Sequence, residues 1–136
     1  MMRQVRDAVR RHDAADVTDV RGHIDDLAPL YRGAAALLVT SRAEGFGLPA
    51  LEALACGTPV VAFDNTSLPE VVGDAGVLVA DGDVSAFSTA VRCVLDDDAL
   101  AADLRARGPE RARPFTWQRT VDAHVDIYVE TARAAT

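Results

Sequence analysis

The chain has 136 residues, 49% of them hydrophobic, which is enough for one domain with a sizeable core. Its net charge of −7 and pI of about 4.8 argue against a nucleic-acid or anionic-membrane partner. No apolar run reaches the length of a membrane helix, and Met1-Met2 leads into charged residues rather than a signal peptide, so a cytoplasmic protein is expected.

Helical and strand patterns alternate along the chain, which predicts an α/β fold with a parallel sheet. Arg3 to His12 reads as a charged helix, with Val5 and Val9 one turn apart. Val17 to Arg21 alternates like a short strand and ends at Gly22. Asp25 or Asp26 caps a helix from Leu27 to Arg32. Ala35 to Thr40 is an apolar run of the buried-strand type. A helix follows from Leu48 to Cys56, with Gly57 suited to its C-terminal end. Pro59 to Phe63 is the next strand, Ser67 caps a short helix over Pro69 to Val72, and Gly76 to Ala80 is the last strand. From Asp83 the pattern is helical, with Val84, Phe87, Val91, Val94 and Leu95 on one stripe. Asp98 is expected to cap a second helix through Arg107, stopped by Gly108-Pro109. Thr116 caps a final helix carrying Trp117, Val121, Val125, Tyr128 and Val129.

The stretch Glu44-Gly45-Phe46-Gly47-Leu48-Pro49-Ala50-Leu51-Glu52 carries the chemistry. Gly45 and Gly47 allow backbone to approach a ligand without a Cβ in the way. Pro49 suits the start of a helix, where a missing N–H costs nothing. The free N–H groups of residues 46 to 49 then favour an anion such as a phosphate. Glu44 before the helix and Glu52 about one turn into it can each accept hydrogen bonds from hydroxyl groups. A phosphate flanked by polyols describes a sugar nucleotide. The same pattern also suits an ordinary turn before an amphipathic helix, where an early glutamate simply complements the macrodipole.

The segment from Thr40 to Val79 resembles the donor-binding region of retaining GT-B glycosyltransferases of the large group 1 family. The run Thr40-Ser41-Arg42-Ala43-Glu44 through Cys56-Gly57-Thr58-Pro59-Val60-Val61-Ala62 matches that family's E-x7-E motif and its surroundings. The likeness continues through Ser67-Leu68-Pro69-Glu70-Val71 and Gly73-Asp74-Ala75-Gly76-Val77-Leu78-Val79, and more weakly to Asp26–Tyr31 and Phe115-Thr116-Trp117. Thr40 departs from the usual proline before Ser41, which touches only loop stiffness.

The resemblance implies a Rossmann-like three-layer domain, the C-terminal part of a GT-B enzyme, with helices on both sheet faces. The family's strand order is 3-2-1-4-5-6, and residues 1–136 are expected to form a single, partial domain supplying strands three to six, about four strands. It implies roles too. Glu44, the catalytic candidate, binds donor-sugar hydroxyls. Backbone at Gly45, Phe46 and Gly47 lines the sugar and diphosphate, and the Leu48 amide meets a phosphate oxygen. Glu52 holds the ribose hydroxyls, and main chain at Gly22, His23 and Ile24 meets the nucleobase. The substrate is then a nucleoside-diphosphate sugar transferred with retention. No cofactor or metal is expected, and the acceptor is left open. The arginine and lysine that neutralise the diphosphate in this family have no counterpart here, where all 14 basic residues are arginine. Activity of the chain alone is therefore not expected. An unpaired strand three is expected to move beside strand four, or to recruit a companion chain or another copy. A non-catalytic remnant serving as an assembly or partner-binding module is the rival reading.

Other acidic and nucleophilic residues read more plainly. Asp81-Gly82-Asp83 looks like a metal-holding D-x-D but is placed as a turn and helix cap. Asp96-Asp97-Asp98 is a solvated helix junction, and Cys56 and Cys93 are free thiols. His12 and His124 sit on helix surfaces, and Arg42 reads as a surface arginine despite its nearness to the motif. No serine has a nucleophile-elbow context, and no spacing suggests a metal site.

Overall fold

The four apolar residues from Val60 to Phe63 leave no polar position to face water, so a strand built from them must be covered on both sides. The computed structural model, which describes residues 2–134, meets that demand. Strand β2 (Val60–Asp64) lies at the centre of a parallel sheet, between β1 (Leu37–Val39) and β3 (Val77–Ala80). Leu38 pairs with Val61, and Ala62 pairs with Leu78.

Alternation along β2 divides the core in two. Val60 and Ala62 pack with Tyr31 of α2 (Ala28–Gly33), Leu54 of α3 (Leu48–Ala55), and Leu68 and Val72 of α4 (Leu68–Val72). Val61 and Phe63 pack on the opposite face with Phe87 and Val94 of α5 (Val84–Asp96) and Leu104 of α6 (Asp98–Ala112). Phe63 and Phe87 meet with ring centroids 4.8 Å apart. The result is the expected α/β three-layer arrangement, with helices on both faces of a parallel sheet.

The sheet has three strands rather than four. Val17 to Arg21 forms no strand; Ala15–Val17 is a single 3-10 turn, and the chain then runs without regular structure. An alternating segment needs both a neighbour for its ladder and a surface for its apolar face. Val17 is 87% exposed and has neither. Among the described residues, nothing pairs with the outer edge of β1. The expected move of a strand beside β1 therefore does not occur.

Helix α6 also differs from expectation, running through Gly108 and Pro109 to Ala112. Its N-cap is Asp97, not Asp98, and the Asp97 carboxylate accepts from the Leu100 N–H at 3.0 Å. Gly108 is buried against α3, where a Cβ would lie 2.9 Å from the Leu54 carbonyl oxygen. The helix continues because burial against α3 outweighs the propensity cost of glycine. Arg105 of α6 donates to the carbonyls of Ala34, Ala35 and Gly57 at 3.2 to 3.4 Å, tying the helix to the entrance of β1.

At the chain's two ends lie α1 (Met2–Arg11) and α7 (Trp117–Ala134). Thr116 caps α7 by accepting from the Arg119 N–H at 3.2 Å. No described residue of α7 is buried; Trp117, Tyr128 and Ile127 are 80%, 69% and 57% exposed. Among the described residues, no helix is long and apolar enough to cross a membrane.

Candidate functional site

The connection from β1 to α3 holds Glu44 to Gly47, and α3 holds Leu48 and Glu52. The turn after β2 fixes this connection. The Glu44 N–H donates to the Thr66 hydroxyl at 3.1 Å, and the Ser67 hydroxyl donates to the Glu44 carbonyl at 3.1 Å. The Asn65 side-chain amide donates to the Ser41 carbonyl at 3.1 Å and to the Asp81 carboxylate at 2.7 Å. Thr66 is held at φ 46°, a left-handed conformation that costs a non-glycine residue about 1 kcal/mol or more. Ser67 stands at the N-cap of α4, but its hydroxyl serves the Glu44 loop and caps nothing.

Gly47 is the N-cap of α3, with φ 91°. The first intrahelical bond runs from the Leu51 N–H to the Gly47 carbonyl at 3.1 Å, so the Leu48 and Ala50 N–H groups have no acceptor within the helix. Leu48 and Phe46 are 51% and 44% exposed, so this end of α3 is open at those two residues, while Gly47 and Ala50 are buried. Beneath it, a Cβ on Gly47 would lie 3.1 Å from Cδ2 of Leu68, which is fully buried. Gly47→Ala is therefore expected to cost about 1–2 kcal/mol from the left-handed backbone alone. Urea unfolding measures it, and wild-type stability in the variant would contradict this placement of the turn.

Phe46 is steadied from the far end of the chain. Its ring meets Phe115 edge-on at 6.0 Å, and the Arg111 guanidinium stands 5.5 Å above the Phe115 ring. Arg111 also donates to the Val71 carbonyl at 3.1 Å and to the Glu70 carbonyl.

Glu52 faces outward from α3, and its Oε2 accepts a hydrogen bond from the Tyr31 hydroxyl at 3.0 Å. Beside this pair is an open cavity of about 370 Å³, lined by Ile24, Leu27, Ala28, Tyr31, Glu52 and Cys56 among others. Burial, and next the adjoining Glu52 carboxylate, push the Tyr31 phenol up from 10.0 to about 12, so it donates rather than ionises near neutrality. Asp26 helps start α2 by accepting from the Ala28 N–H at 3.0 Å.

Of the residues singled out in the sequence, Ile24 and Glu52 meet at one cavity. Glu44, Gly45, Phe46, Gly47 and Leu48 form the turn and helix start at the other end of α3, and none of them lines that cavity. Gly22 is exposed, and His23 points to solvent, its side chain 88% exposed and paired with Asp25 at 3.2 Å. Asp83 caps α5 by accepting from the Ala86 N–H at 2.8 Å, as the turn reading of Asp81-Gly82-Asp83 required. Among the described residues, no three His, Cys, Asp or Glu side chains converge as a metal site would need. Sequence reasoning missed the support from Asn65, Thr66, Tyr31, Arg111 and Phe115. Of these, Tyr31 and Phe115 carried a signal, each as part of a weakly matching segment.

A family model described as group 1 glycosyl transferases matches residues 2–97. The O-antigen chain mannosyltransferase B of Escherichia coli is 43% identical over 104 residues, covering 76% of this chain and 27% of that protein. A glycogen synthase of Mycobacterium tuberculosis is 42% identical over 134 residues, covering 93% of this chain and 32% of that protein. Among solved structures, a sucrose-phosphate synthase from Thermosynechococcus elongatus superposes with a TM-score of 0.87 at 33% identity, over 97% of this chain and 34% of that one. The chain thus spans about a quarter to a third of the length of the relatives it matches.

Proposed function

This chain belongs to the group 1 glycosyl transferases, and from that membership we propose that it binds the donor, a nucleoside-diphosphate sugar, for glycosyl transfer with retention. One observation carries the reading. The Leu48 end of α3 and the Glu52 carboxylate share one eight-residue helix, whose Glu52 side, with Ala55 and Cys56, lines the cavity of Ile24 and Tyr31. Exposed N–H groups at a helix start attract phosphate, and a carboxylate beside a half-apolar cavity suits a ribose next to a base.

In this reading the Leu48 amide meets a phosphate oxygen, and the backbone of Gly45, Phe46 and Gly47 lines the diphosphate and sugar. Glu44 takes the sugar hydroxyls, Glu52 the ribose hydroxyls, and main chain near Ile24 the base. Gly22 and His23 approach the base only through their backbone, since the His23 ring is turned to solvent. Transfer needs the leaving diphosphate's charge to be stabilised by preorganised donors, and the α3 amides supply part of that field. A general acid–base pair of the glycoside-hydrolase kind is disfavoured, because Glu44 and Glu52 flank an anion-favouring helix end.

Calorimetric titration with UDP-, GDP- and ADP-glucose tests the assignment. Glu52→Ala is expected to weaken the best of these by about tenfold or more, the effect of removing a charged hydrogen-bond acceptor. Undiminished affinity in Glu52→Ala would remove the ribose assignment.

A further inference from the structure

Resting on the donor-site reading above, we propose that Tyr31 is a positioning residue that holds the Glu52 carboxylate ready for the ribose hydroxyls. A glutamate side chain exposed on a helix samples several rotamers, and fixing it on binding opposes affinity. Here it is fixed beforehand. The Tyr31 hydroxyl donates to Oε2 of Glu52 at 3.0 Å, across 21 residues of sequence. An ionised carboxylate has about four acceptor positions, so one bond from Tyr31 leaves the rest of the group free for a diol.

Tyr31 can act as a fixed point because it is itself anchored. It is only 9% exposed and packs in the cluster with Leu54 and Val60. Its N–H donates to the Leu27 carbonyl at 3.0 Å. Its own carbonyl accepts from the Thr58 hydroxyl at 2.6 Å, and Thr58 is 1% exposed. A line of hydrogen bonds therefore runs from the buried end of α3's following turn, through Tyr31, to the carboxylate at the cavity mouth. The phenol, raised to about 12, remains a donor at any pH where the chain would work.

The test is a binding cycle on the whole chain, with UDP, GDP and ADP as probes beside their 2′,3′-dideoxy counterparts. Tyr31→Phe keeps the buried ring and removes only the hydroxyl. It is expected to weaken the best ribonucleotide about tenfold and to leave its dideoxy counterpart unchanged, because only the ribose form uses Glu52. Wild-type affinity for the ribonucleotide in Tyr31→Phe would overturn the proposal. So would an equal loss for both forms, which would make Tyr31 a support of the cavity at large. If Tyr31→Phe does not fold, p-aminophenylalanine in place of Tyr31 supplies a ring of nearly the same size with an N–H donor; retained discrimination between the two sugars supports the proposal, and its loss in the folded variant counts against it. Failure of the site reading shows elsewhere, in a wild-type chain that binds none of the diphosphates or does not distinguish ribose from dideoxyribose.

Discussion

Leu54→Ala is expected to lower the unfolding free energy by about 2 to 5 kcal/mol. Leu54 is fully buried on α3, in the cluster with Tyr31, Val60, Leu68 and Val72. Shortening it removes apolar contact and leaves a void walled by the central strand, which has little freedom to collapse inward. Domains of this kind are stable by only about 5–15 kcal/mol, so the loss is a large share of the total. Urea unfolding followed by circular dichroism measures it, and a loss under about 1 kcal/mol would show that α3 is not seated on β2 as described.

Gly108→Ala is the second large effect, and its sign is diagnostic. At an exposed helix position this change stabilises by about 1 kcal/mol, because alanine surrenders less backbone freedom. At Gly108 the new methyl would lie 2.9 Å from the Leu54 carbonyl oxygen and 3.3 Å from the Leu54 Cα. Those are backbone atoms and cannot rotate aside. Forcing α6 and α3 apart is expected to cost about 1–3 kcal/mol, which outweighs the propensity gain. An alanine variant that melts higher than wild type would contradict the close approach of the two helices.

Much of the fold was legible because local chemistry and tertiary demand agree. Pro59 to Phe63 read as a strand from its short apolar run between turn residues, and Val60–Asp64 is one, covered on both faces. Pro49 and Gly47 mark the start of α3, and Asp83 and Thr116 cap α5 and α7 through their side chains. Agreement fails where a distant contact decides. Gly108-Pro109 looks like a stop until α3 is seen pressed against it. Val17 to Arg21 alternates like a strand but meets no neighbour that would make it one.

The candidate site divides in the same way. Most of its proposed donor-binding residues lie between Glu44 and Glu52, so spacing alone brings those together; Ile24 joins them only in the fold. Their supports lie far off in sequence. Asn65 reaches Ser41 and Asp81, Phe115 reaches Phe46, and Tyr31 reaches Glu52. No periodicity encodes such pairs, because they arise only when the sheet brings loop ends to one side.

The exposed course of α7 bears on how the molecule melts. A helix with no described residue buried draws little from core packing and leans on its own turns, whose formation is length- and temperature-dependent. Winding and unwinding of these turns leaves every contact around β2 intact. The order of the last helix and the integrity of the core are thus expected to melt separately, one drifting gradually with temperature and the other giving way all at once.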